Sequence, residues 1–145
     1  MKREELVTWL ESYRNIYHTC EYLESKSDVH SVQYDKVPAK GRTKDIIWLN
    51  DMERLKEERE RLHDIAEAIK LIDTHSIYYT ILLYKYVGYY DRYEEDVVWL
   101  TLEQIAEMLA LSLRHVQRLH KQALKLLLDK LNEKNESDEG TGKEA

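Results

Sequence analysis

The sequence predicts an all-α protein, and three observations carry that prediction. Apolar residues recur three and four positions apart over long stretches, which is the spacing of an amphipathic helix. Only four Gly and one Pro interrupt the 145 residues, so the chain has few places to turn. No partner is evident for the one segment that could form a buried strand. We therefore expect long N-terminal helices, as a helical hairpin or a coiled-coil-like arrangement, followed by shorter C-terminal helices.

Residues 1–74 are predicted to hold two long helices joined by a loop. The first helix is expected at about residues 2–27 and the second at about 44–73. The polar stretch 27–43 between them contains Pro38 and Gly41 and reads as a loop. The apolar stripe of the first helix comprises Leu6, Trp9, Tyr13, Ile16, Cys20 and Leu23. That of the second comprises Trp48, Met52, Leu55, Leu62, Ile65, Ile69 and Ile72.

Neither stripe can remain in water, because isolated helices of this kind are stabilised mainly by packing. The stripes are buried either within one chain or against a second copy, and the sequence leaves both arrangements open. We take residues 1–74 as an oligomerisation region and expect a homodimer.

The segment 77–87 is rich in Ile, Leu and Tyr. A helix is favoured there over a buried strand, since Tyr79, Leu82, Leu83, Tyr86 and Tyr90 share one helical face. Residues 88–99 are predicted to be an acidic loop. Residues 132–145 contain no large apolar side chain and are predicted to be a disordered acidic tail.

Residues 101–131 are predicted to form two helices with a tight turn between them. Thr101 followed by Gln104 is a capping box that starts the first helix, and Ser112 is a good N-cap for the second, at 113–131. The short turn is typical of a helix-turn-helix unit, whose second helix enters the major groove of DNA. We therefore predict a DNA-binding domain at 75–131. The predicted inward residues are Leu102, Ile105, Ala106, Leu109, Val116, Leu119, Ala123, Leu124 and Leu127.

The opposite face of the second helix carries basic and amide side chains. Between residues 112 and 130, five Lys or Arg outnumber the single acid Asp129, although the whole chain has a formal net charge of −6. Phosphate contacts depend on the local face more than on the total charge, because salt screens distant charges. The predicted DNA-binding residues are Ser112, Leu113, Arg114, His115, Gln117, Arg118, Lys121, Gln122 and Lys125.

The stretch "TLEQIAEMLALSLRHVQRLHKQALKLL" resembles region four of bacterial sigma factors. That resemblance implies that residues after the second N-cap read a promoter element, here Leu113, Arg114, Gln117 and Arg118. The sequence departs from the family pattern at two positions. Ala110 replaces the turn glycine, and Leu113 stands where the family has Arg, so a different target sequence is expected.

Over most of its length the chain also resembles the small phage regulators of the ArpU and RinA type. The resemblance implies an activator of phage late or packaging genes that binds double-stranded DNA at a promoter or operator. Two alternatives remain: an interaction module that binds host RNA polymerase, and a DNA-packaging protein similar to a small terminase subunit. In small terminases the DNA-binding unit usually comes first, whereas here it is last.

Enzymatic function is not predicted. Acidic pairs such as Asp91 with Glu94 lack a nucleophile or a Gly-rich phosphate loop, and the spacing of His115 and His120 is unsuited to a metal site. No cofactor and no metal is expected. The single Cys20 and the absence of a leader or a spanning segment predict a cytoplasmic protein without a membrane partner.

Overall fold

The computed structural model describes residues 1–34 and 41–144, with side chains described for residues 1–26 and 46–136. The all-α prediction is confirmed, since the only sheet in this part of the chain is a two-stranded one. The elements in order are α1 (Arg3–Tyr34), α2 (Gly41–Ile69), α3 (Ile77–Leu82), a π-helical turn (Leu83–Val87), β1 (Tyr89–Asp91), β2 (Asp96–Val98), α4 (Leu102–Leu109) and α5 (Leu113–Glu144).

The chain forms two compact units, and one of them comprises residues 13–64. Here α1 and α2 run antiparallel, because Glu24 bonds Arg59 whereas Lys26, further along α1, pairs with the earlier Asp51 at 2.9 Å. Among the described side chains of this unit, the buried ones come from the predicted apolar stripes. These are Ile16, Cys20, Leu23 and Leu55.

The other unit combines residues 1–12 with residues 65–145. Residues 1–12 and 65–74, which were assigned to the N-terminal region on sequence, therefore lie with the C-terminal helices. Their apolar residues Leu6, Leu10, Ile65, Ile69 and Ile72 are fully buried. One core cluster of this unit is formed by Ile81 of α3, Ile105 and Ala106 of α4, and Val116 of α5.

The helix predicted at 77–87 is present, and its second half is π-helical. Gly88, at φ +83°, ends it, and the chain turns back so that the indole N–H of Trp99 donates to the carbonyl oxygen of Tyr86 at 3.0 Å. The backbone N–H of Leu100 likewise donates to the carbonyl of Tyr84 at 3.0 Å. The segment that leads into α4 is thereby fixed to the π-helical turn.

The loop predicted at 88–99 contains an antiparallel hairpin instead, in which Tyr90 pairs with Val97. The prediction missed it because each strand has only three residues, and acidic side chains at the turn conceal the alternation. The hairpin holds the side chain of Tyr93 fully exposed.

Three predicted boundaries differ from the structure. α1 continues to Tyr34, beyond the predicted end at residue 27, because the first helix-breaking residue, Pro38, comes only later. α2 begins at Gly41, so only residues 35–40 of the predicted loop 27–43 remain, and they lie outside the described residues. α2 also ends earlier, at Ile69, where i→i−3 hydrogen bonds replace the helical ones.

The predicted disordered tail at 132–145 is helical in the structure as far as Glu144. Its Glu and Lys residues are good helix formers, and proline is absent from this part of the sequence, so the packed first half of α5 can propagate into it. None of the described helices has the length and apolarity needed to cross a membrane.

Candidate nucleic-acid interface

The start of α4 confirms the predicted capping box. The hydroxyl of Thr101 accepts a hydrogen bond from the backbone N–H of Gln104 at 3.2 Å. The Gln104 side chain accepts one from the backbone N–H of Thr101 at 2.9 Å. Two backbone N–H groups at the end of the helix are thus satisfied, which fixes where α4 begins.

The turn between α4 and α5 is made by Ala110 in the left-handed conformation, at φ 57° and ψ 41°. The backbone N–H of Leu111 donates to the carbonyl of Ala106 at 3.0 Å, which is the outer bond of a Schellman motif. Ser112 then caps α5, because its hydroxyl accepts from the backbone N–H of His115 at 3.1 Å. Ala110 therefore takes the backbone conformation that glycine takes most easily.

The inward faces of the two helices are those predicted. Ile105, Ala106 and Val116 are buried together against Ile81 of α3. Leu102, Leu109 and Leu119 are partly buried and pack against the same cluster. Further along α5, Ala123, Leu124 and Leu127 are buried as well. This packing fixes the rotation of α5 about its axis.

That rotation leaves every predicted DNA-binding residue at the surface. Four of them form a single row, since positions i, i+4, i+7 and i+11 lie on one helical face. We call this row the basic stripe, and it consists of Arg114, Arg118, Lys121 and Lys125. Among the side chains that the structure describes, no acid lies within salt-bridge distance of any of the four.

Of the other five predicted residues, Ser112 caps the helix with its hydroxyl and four flank the basic stripe. Leu113 and Gln117 lie on one side, where Leu113 is 36% exposed. His115 and Gln122 lie on the other, and Gln122 accepts a hydrogen bond from the hydroxyl of Tyr78 at 3.1 Å. The side-chain oxygen of Gln122 is therefore engaged in a hydrogen bond at the surface, whereas its neighbours on the basic stripe have no acidic partner among the described residues.

The positive charge of Arg114 at the start of α5 does not stabilise the helix. The N-terminus of a helix carries partial positive charge, so acids are favourable in its first turn and cations are not. The first turn of α5 contains no acid, and Arg114 lies in it. A residue that departs from this preference for acids in the first turn is typical of a functional site.

The contact between Tyr86 and His120, which positions α5, was not predicted from the sequence. The hydroxyl of Tyr86 in the π-helical turn lies 2.7 Å from Nε2 of His120. Burial lowers the pKa of His120 to about 4, with help from the positive charges of Lys85 and Arg3, so the imidazole is neutral. The available signal was the position of His120 four residues after the inward Val116, which places it on the buried side of α5.

The model of the family Sigma-70, region 4 matches residues 90–129, which include most of β1, all of β2 and α4, and about half of α5. The chain therefore contains a helix-turn-helix similar to region 4, a family of DNA-binding domains rather than of enzymes. No curated protein and no solved structure matches the chain. Among the described residues, no group of His, Cys, Asp and Glu is arranged to hold a metal ion.

Proposed function

We propose that the protein is a sequence-specific regulator of transcription that reads the major groove of double-stranded DNA with the N-terminal half of α5. The observation that carries the proposal is the basic stripe: four cations in one row, exposed and without acidic partners in the described structure. The row belongs to the second helix of a unit similar to region 4, the helix that contacts base edges in such units.

The dimensions of the basic stripe suit this role. Arg114 and Lys125 are eleven positions apart, which corresponds to about 16 Å along the helix axis. The major groove is about 12 Å wide and admits one α-helix. Arg114 and Arg118, together with Gln117, are the side chains suited to bidentate contacts with guanine and adenine. Lys121 and Lys125 are suited to the phosphates at the groove edge.

The acidic residues of α5 support one orientation on DNA. Beyond Lys125 the exposed acids Asp129, Glu133 and Glu136 outnumber the exposed lysines Lys130 and Lys134 among the described side chains. Phosphates repel these carboxylates at short range, whereas the basic stripe lies at the other end of the helix. We therefore expect the first four turns of α5 to lie in the groove and its later part to point away.

The regulatory role that we propose is activation of phage late or packaging genes, and it rests on the resemblance to the ArpU and RinA type. Direct contact with host RNA polymerase is a second candidate, because region 4 domains are associated with polymerase as well as with DNA.

We propose further that the protein is a homodimer, and the exposed apolar side chains of α2 support this. Ile46 is 60% exposed and Leu49 is 53% exposed, on the side of the helix away from the buried Leu55. The exposed residues further along α2 include both acids and bases. A second, antiparallel copy of this helix can therefore pair its acids with these bases and its bases with these acids. These residues include Glu53, Arg54, Lys56, Glu57, Glu60 and Arg61.

The oligomeric state can be measured by sedimentation equilibrium of the full chain. We expect a dimer for the natural protein and a monomer for the double variant Ile46→Glu with Leu49→Glu. The variant Met108→Glu introduces a charge at an exposed apolar side chain of the other compact unit and should remain dimeric. A natural protein that is monomeric throughout the concentration range would exclude this part of the proposal.

The DNA-binding proposal is tested by selecting bound sequences from random duplex DNA at physiological salt. We expect enrichment of one motif, in two copies about one helical turn apart if the protein binds as a dimer. The variant Arg114→Ala with Arg118→Ala should lose the enrichment while it retains the helix content of the natural protein. Failure of the natural protein to enrich any sequence would refute sequence-specific binding and favour the polymerase contact.

A further inference from the structure

A depression lies beside the start of α5, and one lysine from outside the helix-turn-helix reaches it. Its lining comprises Lys85, Thr101, Leu102, Glu103, Leu113 and Gln117. Lys85 comes from the π-helical turn, and its half-buried side chain has its ammonium 5.5 Å from the centre of the Tyr86 ring. Leu113 and Gln117 are residues of the proposed DNA-reading face. A cation of the π-helical turn thus adjoins that face.

The position of Lys85 is fixed relative to the helix-turn-helix. The residues on either side of it, Tyr84 and Tyr86, accept hydrogen bonds from Leu100 and Trp99 in the segment that leads into α4. The ammonium of Lys85 lies 5.5 Å from the centre of the Tyr86 ring, and the hydroxyl of that ring contacts His120 of α5 at 2.7 Å, so the ammonium is near that helix. Lys85 is held on the same rigid frame as the basic stripe.

The ammonium of Lys85 is available to an external anion. Glu103 lines the same depression, yet no carboxylate of the described residues lies within salt-bridge distance of Lys85. A lysine is a compact cation with three donors on a flexible stem, which suits a single phosphate oxygen better than the planar edge of a base. The exposed Thr101 adds a hydroxyl beside it.

We propose that Lys85 binds a phosphate of the DNA backbone at the edge of the groove that α5 enters. This inference rests on the proposed function and adds to it a contact from outside residues 90–129, the part of the chain that matches the family. Lys85 and the basic stripe lie on either side of Leu113 and Gln117. Lys85 on one side and Lys121 with Lys125 on the other then hold the two phosphate backbones that border the groove, and α5 is aligned between them.

The test compares Lys85→Gln with Lys130→Gln in the full chain. Lys130 is an exposed lysine of α5 on a different side from the basic stripe, so the control makes the same change of charge away from the DNA. Affinities for a selected duplex and for random duplex DNA are measured at several salt concentrations. A third variant, Lys85→Arg, preserves the charge, and thermal unfolding shows whether each variant is folded.

For Lys85→Gln we expect affinity to fall about fivefold at 0.15 M salt, equally on selected and random DNA, and the slope of log K against log salt to decrease by about 0.9. Lys85→Arg should retain the natural slope, and so should Lys130→Gln. An unchanged slope in folded Lys85→Gln, while Arg118→Ala still weakens binding, would overturn this inference and leave the proposed function standing. Absence of DNA binding by the natural protein would overturn both.

Discussion

The hydroxyl of Tyr86 and Nε2 of His120, 2.7 Å apart, join the π-helical turn to the proposed recognition helix. Burial, with the carboxylate of Glu11 nearby, raises the pKa of Tyr86, so its phenol keeps the proton. Burial and the charges of Lys85 and Arg3 lower the pKa of His120, so its imidazole is neutral. The protonated phenol and the neutral imidazole therefore share one hydrogen bond between the Tyr86 hydroxyl and Nε2 of His120.

This pair predicts that the protein loses stability as the pH falls from about 6.5 to about 4. In the unfolded chain His120 takes up a proton near its ordinary pKa of 6.5, whereas in the folded chain it does so only near 4. Between these values the unfolded state binds more protons, so the free energy of unfolding rises with pH. The stabilising contribution of His120 is fully present above about pH 6.5. Allowing for solvent around the half-buried ring, we expect a change of about 1–2 kcal/mol.

Urea unfolding at pH 7 and pH 5 measures this effect. Glutamine can still accept from Tyr86 but does not titrate, so His120→Gln should show a smaller loss between the two pH values than the natural protein. His115 is exposed on the same helix, and His115→Gln should behave as the natural protein does. Equal losses in His120→Gln and in the natural protein would show that His120 is not the responsible group.

The left-handed turn predicts that Ala110→Gly stabilises the protein. A side chain at φ 57° costs about 1–2 kcal/mol, from which the greater freedom of glycine in the unfolded chain subtracts up to about 1 kcal/mol. We expect a net gain of about 0.5–1 kcal/mol in the free energy of unfolding, measured in urea. The same change at Ala66, a half-buried alanine within the right-handed helix α2, should destabilise, which separates the effect of the left-handed turn from that of replacing alanine with glycine.

The opposite outcome is predicted for Gly88→Ala. Gly88 also has a positive φ, and a Cβ there would lie 2.9 Å from the carbonyl oxygen of Val98 and 3.0 Å from Cγ1 of Val97. Because β2 must shift to make room, we expect a loss of about 2 kcal/mol or more in the free energy of unfolding. A melting temperature equal to that of the natural protein would mean that the hairpin adjusts without cost.

Two residues of the basic stripe should differ in what they contribute to DNA binding. Arg118→Ala should weaken binding to the selected sequence by about 1–3 kcal/mol and relax the preference at one base pair, because a bidentate contact is lost. Lys125→Ala should weaken binding to all sequences alike and lower the salt slope. Fluorescence titrations with the selected and a scrambled duplex measure both. Equal losses on the two duplexes for Arg118→Ala would contradict base reading by that residue.

The sequence predicted the helix-turn-helix closely because its signals are local. The hydrogen bonds of Thr101 with Gln104 and of Ser112 with His115 join residues three positions apart, and the inward stripe follows from helical periodicity. The hairpin was not predicted because the contacts that stabilise it are not local in sequence. Its strands are held by pairing across a four-residue turn and by the indole of Trp99, and these contacts leave no period in so short a segment.

By itself the sequence determined the all-α class, the two helix caps and the face of α5 that carries the basic stripe, since each depends on residues within one or two turns of a helix. Only the tertiary structure decided which residues from elsewhere meet that helix. Tyr86 reaches His120 across 34 positions of sequence, and Lys85 reaches the depression beside Gln117 across a comparable separation. The path of the chain between such residues is set by packing of the whole unit, which local patterns do not encode.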